Sequence, residues 1–193
     1  MATAKPEYPI LLFPDDAAWE AWLAEHHASA PGVWLRLAKK GAALSSVNYA
    51  EALDVALCWG WIDGQVKKHD DESYLQRFTP RGKKSLWSKV NIGKVERLVA
   101  SGRMRPPGQA AVDAAKADGR WARAYDSPAA ATVPDDLAKA LAKSNKAEKF
   151  FATLDKANRY AVIWRVQTAS TPAMRAKRIT DLVAKLERGE KFH

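Results

Sequence analysis

The chain has 193 residues, of which 47% are hydrophobic and 27% charged; this is the composition of an ordinary globular protein, long enough for one large domain or one domain with a helical annex. Its apolar runs are as short as Ile10-Leu11-Leu12-Phe13, which excludes a transmembrane helix, and its single cysteine, Cys58, excludes an internal disulfide and a thiolate metal cage. The net charge of +9 is concentrated in two blocks, 66–105 with eleven Lys/Arg against four Asp/Glu and 139–193 with thirteen against five, and such a field draws phosphate, nucleic acid, anionic lipid head groups or acidic proteins.

The first residues, MATAKPEYPILLFPDD, hold one lysine and a four-residue apolar run followed at once by acids. That is too short for a secretory core and predicts a cytoplasmic protein. Residues 10–13 read as a short strand. Pro14-Asp15-Asp16 then opens a helix whose apolar stripe is Trp19, Trp22, Leu23 and His26. After the Ala30-Pro31-Gly32 turn, Val33, Leu35 and Leu37 alternate with Trp34, Arg36 and Ala38 at strand period. A second helix is predicted over 49–58. Strands follow at 61–68 and 73–79 around the polar turn His69-Asp70-Asp71-Glu72. Ser85 is the predicted N-cap of a third helix that holds Trp87, Val90, Val95, Leu98 and Val99 and ends at Gly102. Beyond Pro106-Pro107-Gly108, read as a break, the strand signal disappears. Helices are predicted at 109–117, 134–143, 145–154, 156–169 and 172–188. A capping box is read at Asn145 and Glu148, a Thr171-Pro172 start at the last helix, and a Gly189 stop. The small-residue stretch 127–134 reads as a linker. The expected fold is α+β: a small, mainly antiparallel sheet packed by helices over residues 1–105, then a helical region over 106–193.

Residues 58–91, CWGWIDGQVKKHDDESYLQRFTPRGKKSLWSKVN, combine Trp59, Trp61 and Trp87 with glycines and charges. As a strand, Trp59, Trp61 and Asp63 would share one face, with Gly60, Ile62 and Gly64 on the other, where missing side chains admit a ligand or another backbone. A carboxylate among tryptophans needs a donor, and Arg77, Arg81 or Lys68 would supply one. The following run, with Arg81, Lys83 and Lys84 ahead of Ser85, Ser88 and Asn91, resembles an anion site at a helix start. It is not a P-loop, since no GxxxxGK[ST] occurs. Cys58, at the end of an apolar helix, is expected to be buried and inert. His26 and His27 are adjacent and lack the three- or four-residue spacing of a helical ligand pair, so no metal site is assigned. The basic residues of the C-terminal helices, among them Lys139, Lys143 and Lys185, read as a solvated face.

These runs, in this order, resemble the YdeI/OmpD-associated, or bacteriocin-protection, family. The resemblance lies in Gly32-Val33-Trp34-Leu35, Lys39-Lys40, Tyr49 with Glu51-Ala52-Leu53, the Ala56–Gly64 run, Arg77-Phe78-Thr79-Pro80-Arg81, Ser85 with Trp87-Ser88-Lys89 and Asn91, and Gly102 with Met104. It extends to the last helix with Ala176-Lys177-Arg178-Ile179. The resemblance implies a cytoplasmic bacterial protein linked to envelope stress and tolerance of cationic peptides, associated with an outer-membrane porin. It carries no catalytic residues with it.

The expected function is noncatalytic binding of an anionic small molecule or acidic protein, without a cofactor. Trp59, Trp61 and Trp87 would wall the pocket. Arg77, Arg81, Lys84, Ser85, Ser88 and Asn91 would hold the anion, and Asp63 would orient an arginine. Two alternatives stand beside it: an enzyme acting on an anionic or nucleotide substrate with Asp63 as general base, and a nonspecific nucleic-acid binder using both basic blocks.

Overall fold

A computed structural model describes residues 8–192. The described residues form a four-stranded sheet and eight helices, an α+β fold with a helical C-terminal region. The chain divides into two compact units. One runs through Ser85 and resumes over Lys94–Ala114; the other takes Leu86–Gly93 and everything from Ala115 onward.

The first unit is built on the sheet, in the order β1-β2-β4-β3. The short β1 (Ile10–Leu11) runs parallel to β2 (Val33–Ala38), and β4 (Ser73–Pro80) is antiparallel to both β2 and β3 (Trp61–Lys68). Two helices join the strands. Asp15 caps α1 (Asp16–His26) by accepting from the Ala18 amide, and Asn48 and Glu51 form a reciprocal capping box on α2 (Tyr49–Cys58). The alternation in β2 turns Val33, Leu35 and Leu37 into the core, all 1% exposed or less. Facing them are Trp19 and Leu23 from α1, and Phe78 and Trp61 lie on the same side of the sheet. Each such side chain stabilises the fold by about 1.5–3 kcal/mol when fully buried.

The aromatic rings of this core form one connected group. Trp19 stacks on Trp22 at 5.4 Å and meets Trp61 edge-on at 6.2 Å and Phe78 at 5.8 Å. The two buried indoles spend their N–H groups on backbone carbonyls, Trp19 on Ala52 and Trp61 on His27, each at 3.1 Å.

Helix α4 (Pro106–Ala117) opens on the Pro-Pro-Gly run that the sequence suggested as a break. Proline costs nothing in a first helical turn, whose amides have no intrahelical partner. Gly108 lets this turn press on the end of α2: an added Cβ would overlap the Cys58 carbonyl. Gly60, with φ +73°, faces the Pro107 carbonyl in the same way, at 2.9 Å from where its Cβ would stand.

Helix α3 (Lys89–Ala100) contributes its first residues to the second unit and Lys94–Ala100 to the first. In the first unit Val95 and Leu98 are buried, whereas Val99 of the same helix is 47% exposed.

In the second unit the helices α5 (Asp135–Leu141), α6 (Asn145–Thr153), α7 (Lys156–Gln167) and α8 (Pro172–Glu187) enclose their own core. Leu137, Leu141, Phe151, Val162, Val166, Ile179, Leu182 and Leu186 are its principal members. Thr171 caps α8, with Pro172 at its first position, and Gly189 follows at φ +71°. The cap of α6 is Ser144, one residue ahead of the predicted Asn145, and its hydroxyl accepts from the Ala147 amide.

Candidate functional site

The residues that the sequence nominated fall into two sets, one in each unit. Trp59, Trp61, Asp63, Arg77, Arg81, Lys84 and Ser85 belong to the first; Trp87, Ser88 and Asn91 belong to the second.

Trp61 does not wall a pocket. It is 1% exposed, packed edge-on against both Trp19 and Trp22, with its N–H spent on the His27 carbonyl. Trp59 is not on the strand: it caps the end of α2, is half-buried, and rests its ring on His27 at 4.9 Å. The reason is Gly60, whose positive φ turns the chain between helix and strand and breaks the alternation that had grouped Trp59 with Trp61.

Asp63 is on the face of Phe78, its register partner. Arg77 is one residue away along β4, so it points to the opposite face, beside its own partner Trp34. An arginine at position 77 therefore cannot serve Asp63. The donor is Tyr49, from the first turn of α2, whose hydroxyl reaches the carboxylate at 2.9 Å. Burial, then this hydrogen bond and the charge behind it, push the Tyr49 phenol above its ordinary range. It holds its proton and donates it at neutral pH.

Gly64 has a specific reason to lack a side chain. The Arg77 guanidinium lies over it, with Nε 2.9 Å from where a Cβ would stand. A bulge between Asp63 and Val66 accompanies this contact, and the buried Gln76 amide pins it through the Gly64 carbonyl at 3.0 Å. On the same face as Arg77, the Lys67 ammonium sits over the Trp34 ring at 4.2 Å. The two glycines that flank Trp61 and Asp63 thus admit a proline backbone and an arginine of the same unit.

The basic turn after β4 is well defined. Arg81 donates its amide to the Gly60 carbonyl at 2.9 Å, and the Ser85 hydroxyl accepts from the Gly82 amide at 3.0 Å while Ser85 N–H returns to the Gly82 carbonyl. Ser85 closes this turn and does not cap the third helix. That role falls to Ser88, whose hydroxyl accepts from the Asn91 amide at 3.2 Å. The Lys89 amide is taken by the Tyr125 carbonyl. Two of the leading amides expected to grip an anion at this helix start therefore already have acceptors. Trp87 is 2% exposed and packs on Trp121 at 5.0 Å within the second unit. On the turn itself the outward side chains are cationic: Lys83 and Lys84 are exposed, and among the described residues neither enters an ion pair.

Cys58 is 2% exposed, and burial pushes its thiol up to about 11. Such a group stays protonated and shielded at neutral pH.

Sequence reasoning missed two features. One is Tyr49 as the partner of Asp63; the Asn48 cap signal placed Tyr49 at the head of α2 but not beside β3. The other is a trough of about 520 Å³ in the second unit, lined by residues of α5 and α8.

Comparison with known families gives two matches. Residues 11–111 match the family described as a domain of unknown function (DUF8412), and residues 130–189 match the one described as bacteriocin-protection, YdeI or OmpD-associated. No curated protein and no solved structure matches the chain. Among the described residues no helix is long and apolar enough to cross a membrane.

Proposed function

The chain belongs to the DUF8412 family over residues 11–111 and to the bacteriocin-protection, YdeI or OmpD-associated family in its C-terminal helices, and from that premise we propose that it is a noncatalytic binding protein of bacterial stress protection. Its ligand is an anionic small molecule or an acidic partner, held at the basic turn 81–85. The observation that carries this reading is the pair Lys83 and Lys84, exposed and without carboxylate partners among the described residues, on a turn whose backbone is fixed by Ser85. A rigid turn holds its charges in place before the ligand arrives, which lowers the ordering cost of binding.

A noncatalytic role is supported by the state of the two groups suited to chemistry. Cys58 is buried with a raised thiol, and the Asp63 carboxylate is already engaged by Tyr49. With Trp61 and Trp87 in core positions, the binding surface is the cationic turn, with half-buried Arg81 at its base. We place the protein in the cytoplasm; cell fractionation tests this, with recovery among soluble cytoplasmic proteins as the expected result. The porin association that the family description suggests would be indirect from there.

Inorganic phosphate is the simplest probe. Titration followed by amide NMR should move the signals of residues 81–85, with a dissociation constant on the order of a millimolar, corresponding to about −4 kcal/mol. Lys83→Ala/Lys84→Ala should weaken binding by about fivefold, close to 1 kcal/mol. Arg81→Ala should also weaken it, and Lys139→Ala, in the other basic block, should not. Equal losses from turn and distal substitutions, or no saturable shift, would remove the anion site.

A further inference from the structure

The trough on the second unit is lined by Ile179, Val183, Ala140 and Ala184 along its floor, with Lys139 and Lys143 on its rim. Its position follows from the helix patterns. Leu137 and Leu141 turn inward from α5, and Leu182 and Leu186 from α8, so the core is closed beneath it. Between the two helices, small side chains at Ala140 and Ala184 leave the space unfilled, and Val183 is only half-buried. The α8 lining runs from Ile179 to Glu187, about 12 Å of helix at 1.5 Å per residue, or roughly two turns.

The charge on the rim is net positive once the Asp136–Arg175 ion pair is counted, with two lysines beside one carboxylate, Glu187. Asp136 is gripped by Arg175 through two hydrogen bonds, at 2.6 and 2.8 Å. Glu187 accepts from the Ser144 hydroxyl at 2.6 Å. Lys139 and Lys143 are exposed and, among the described residues, enter no ion pair. Four residues apart in sequence, one at the end of α5 and one just beyond it, they stand about one helical turn from each other.

We propose that this trough is a docking site for an amphipathic helix of a partner protein, with an apolar stripe flanked by acidic residues one turn apart. An open trough between two helices offers no free strand edge, so an extended peptide gains no ladder hydrogen bonds there. Nor does it enclose a small molecule, which typically buries most of its surface in its site. A helix laid along it covers the apolar floor with residues at three- and four-residue spacing. Its carboxylates meet Lys139 and Lys143, and a basic helix is repelled by the same pair. This site is separate from the basic turn 81–85, which lies in the other unit.

The test uses three labelled synthetic peptides of equal length: an amphipathic helix with leucines on one face and glutamates beside them, the same peptide with lysines in place of glutamates, and a scrambled acidic peptide. Fluorescence anisotropy with the full chain should show saturable binding of the acidic amphipathic peptide only. Lys139→Glu/Lys143→Glu alters exposed positions and should weaken that peptide by about tenfold while improving the basic one. Val183→Glu, with circular dichroism to confirm that the helices persist, should abolish binding of the acidic amphipathic peptide. Equal binding of the acidic and scrambled peptides, or indifference to the lysine reversal, would overturn the proposal. So would a concentration-dependent dimer in sedimentation that Val183→Glu dissolves, since the trough would then be filled by a second copy, or displacement of the peptide by anionic phospholipid vesicles.

Discussion

Single residues in the first unit are constrained mostly by close approach. Gly108 is the tightest case: a methyl group there would meet the Cys58 carbonyl and come within 2.6 Å of the Met104 sulfur. Gly108→Ala should therefore destabilise the protein by about 1–3 kcal/mol in chemical denaturation, since backbone on one side cannot yield. Gly93 is the control. It lies in α3, exposed, with nothing within 4 Å of an added Cβ, so Gly93→Ala should stabilise by about 0.4–1 kcal/mol. Cys58 shares the Gly108 contact and gives a direct readout of its integrity. Its buried thiol, pushed up to about 11, should react slowly with a bulky maleimide in native buffer and rapidly in denaturant. In Gly108→Ala the native rate should rise. A wild-type rate matching a free thiol would show that the α2–α4 contact opens readily.

At the scale of elements, the β3–β4 hairpin shows how much was legible in the chain and why. Its strands were readable from alternation and from the polar turn, and the turn is fixed by Asp70. That carboxylate accepts from the Ser73 hydroxyl and amide, both at 2.7 Å, from the Glu72 amide, and from Arg36 at 2.8 Å. The Ser73 hydroxyl, followed by these amides and the Arg36 charge, lowers its pKa to about 2. An unfolded aspartate titrates near about 3.9. The contribution of Asp70 is thus complete above about pH 4 and is lost as the pH falls through about 2. Thermal melts should show wild type exceeding Asp70→Asn at pH 6, with the gap closing toward pH 2; a constant gap would mean that the charge of Asp70 is immaterial. The α3 start was misread because two serines three residues apart have equal claims on a cap. Only Ser88 has a helical amide three residues on, while Ser85 is consumed by the Gly82 turn. Ser88→Ala should cost about 1 kcal/mol, more than Ser85→Ala costs through loss of the helix. The burial of Trp61 was hidden for a related reason. Glycines and Asp63 lie close to it in sequence and suggest an open surface, but the rings that enclose it come from α1, some forty residues earlier. The α5–α8 trough is likewise a product of packing, lined by small side chains, Ala140 and Ala184, from helices distant in the sequence.

For the whole molecule, the question is whether a net charge of +9 makes this a nucleic-acid protein. Many of the basic residues are engaged locally. Lys94 and Arg97 share Asp54 at 2.7 and 2.6 Å, Arg105 pairs with Glu20 at 2.7 Å, and Lys89 pairs with Asp126 at 2.8 Å. In the last helices Arg175 is held by Asp136, and Arg178 donates to the Arg165 carbonyl at 2.7 Å. Cations tied to carboxylates and carbonyls release fewer counterions from a polyanion, and counterion release is what gives nonspecific binding its strength. The outward charge left for a polyanion includes Lys83 and Lys84 on the basic turn and Lys139 and Lys143 on the rim of the trough. A contact through only a few phosphates has a shallow salt dependence, with log K falling about 0.9 per neutralised phosphate against log salt on duplex DNA. Single-stranded and duplex probes of any sequence should therefore bind weakly at low salt and be released near physiological ionic strength. Lys83→Ala/Lys84→Ala should flatten the slope by less than about 2 on the same relation. Retention at physiological salt with preference for one sequence or structure would instead make nucleic acid the true ligand of the basic turn.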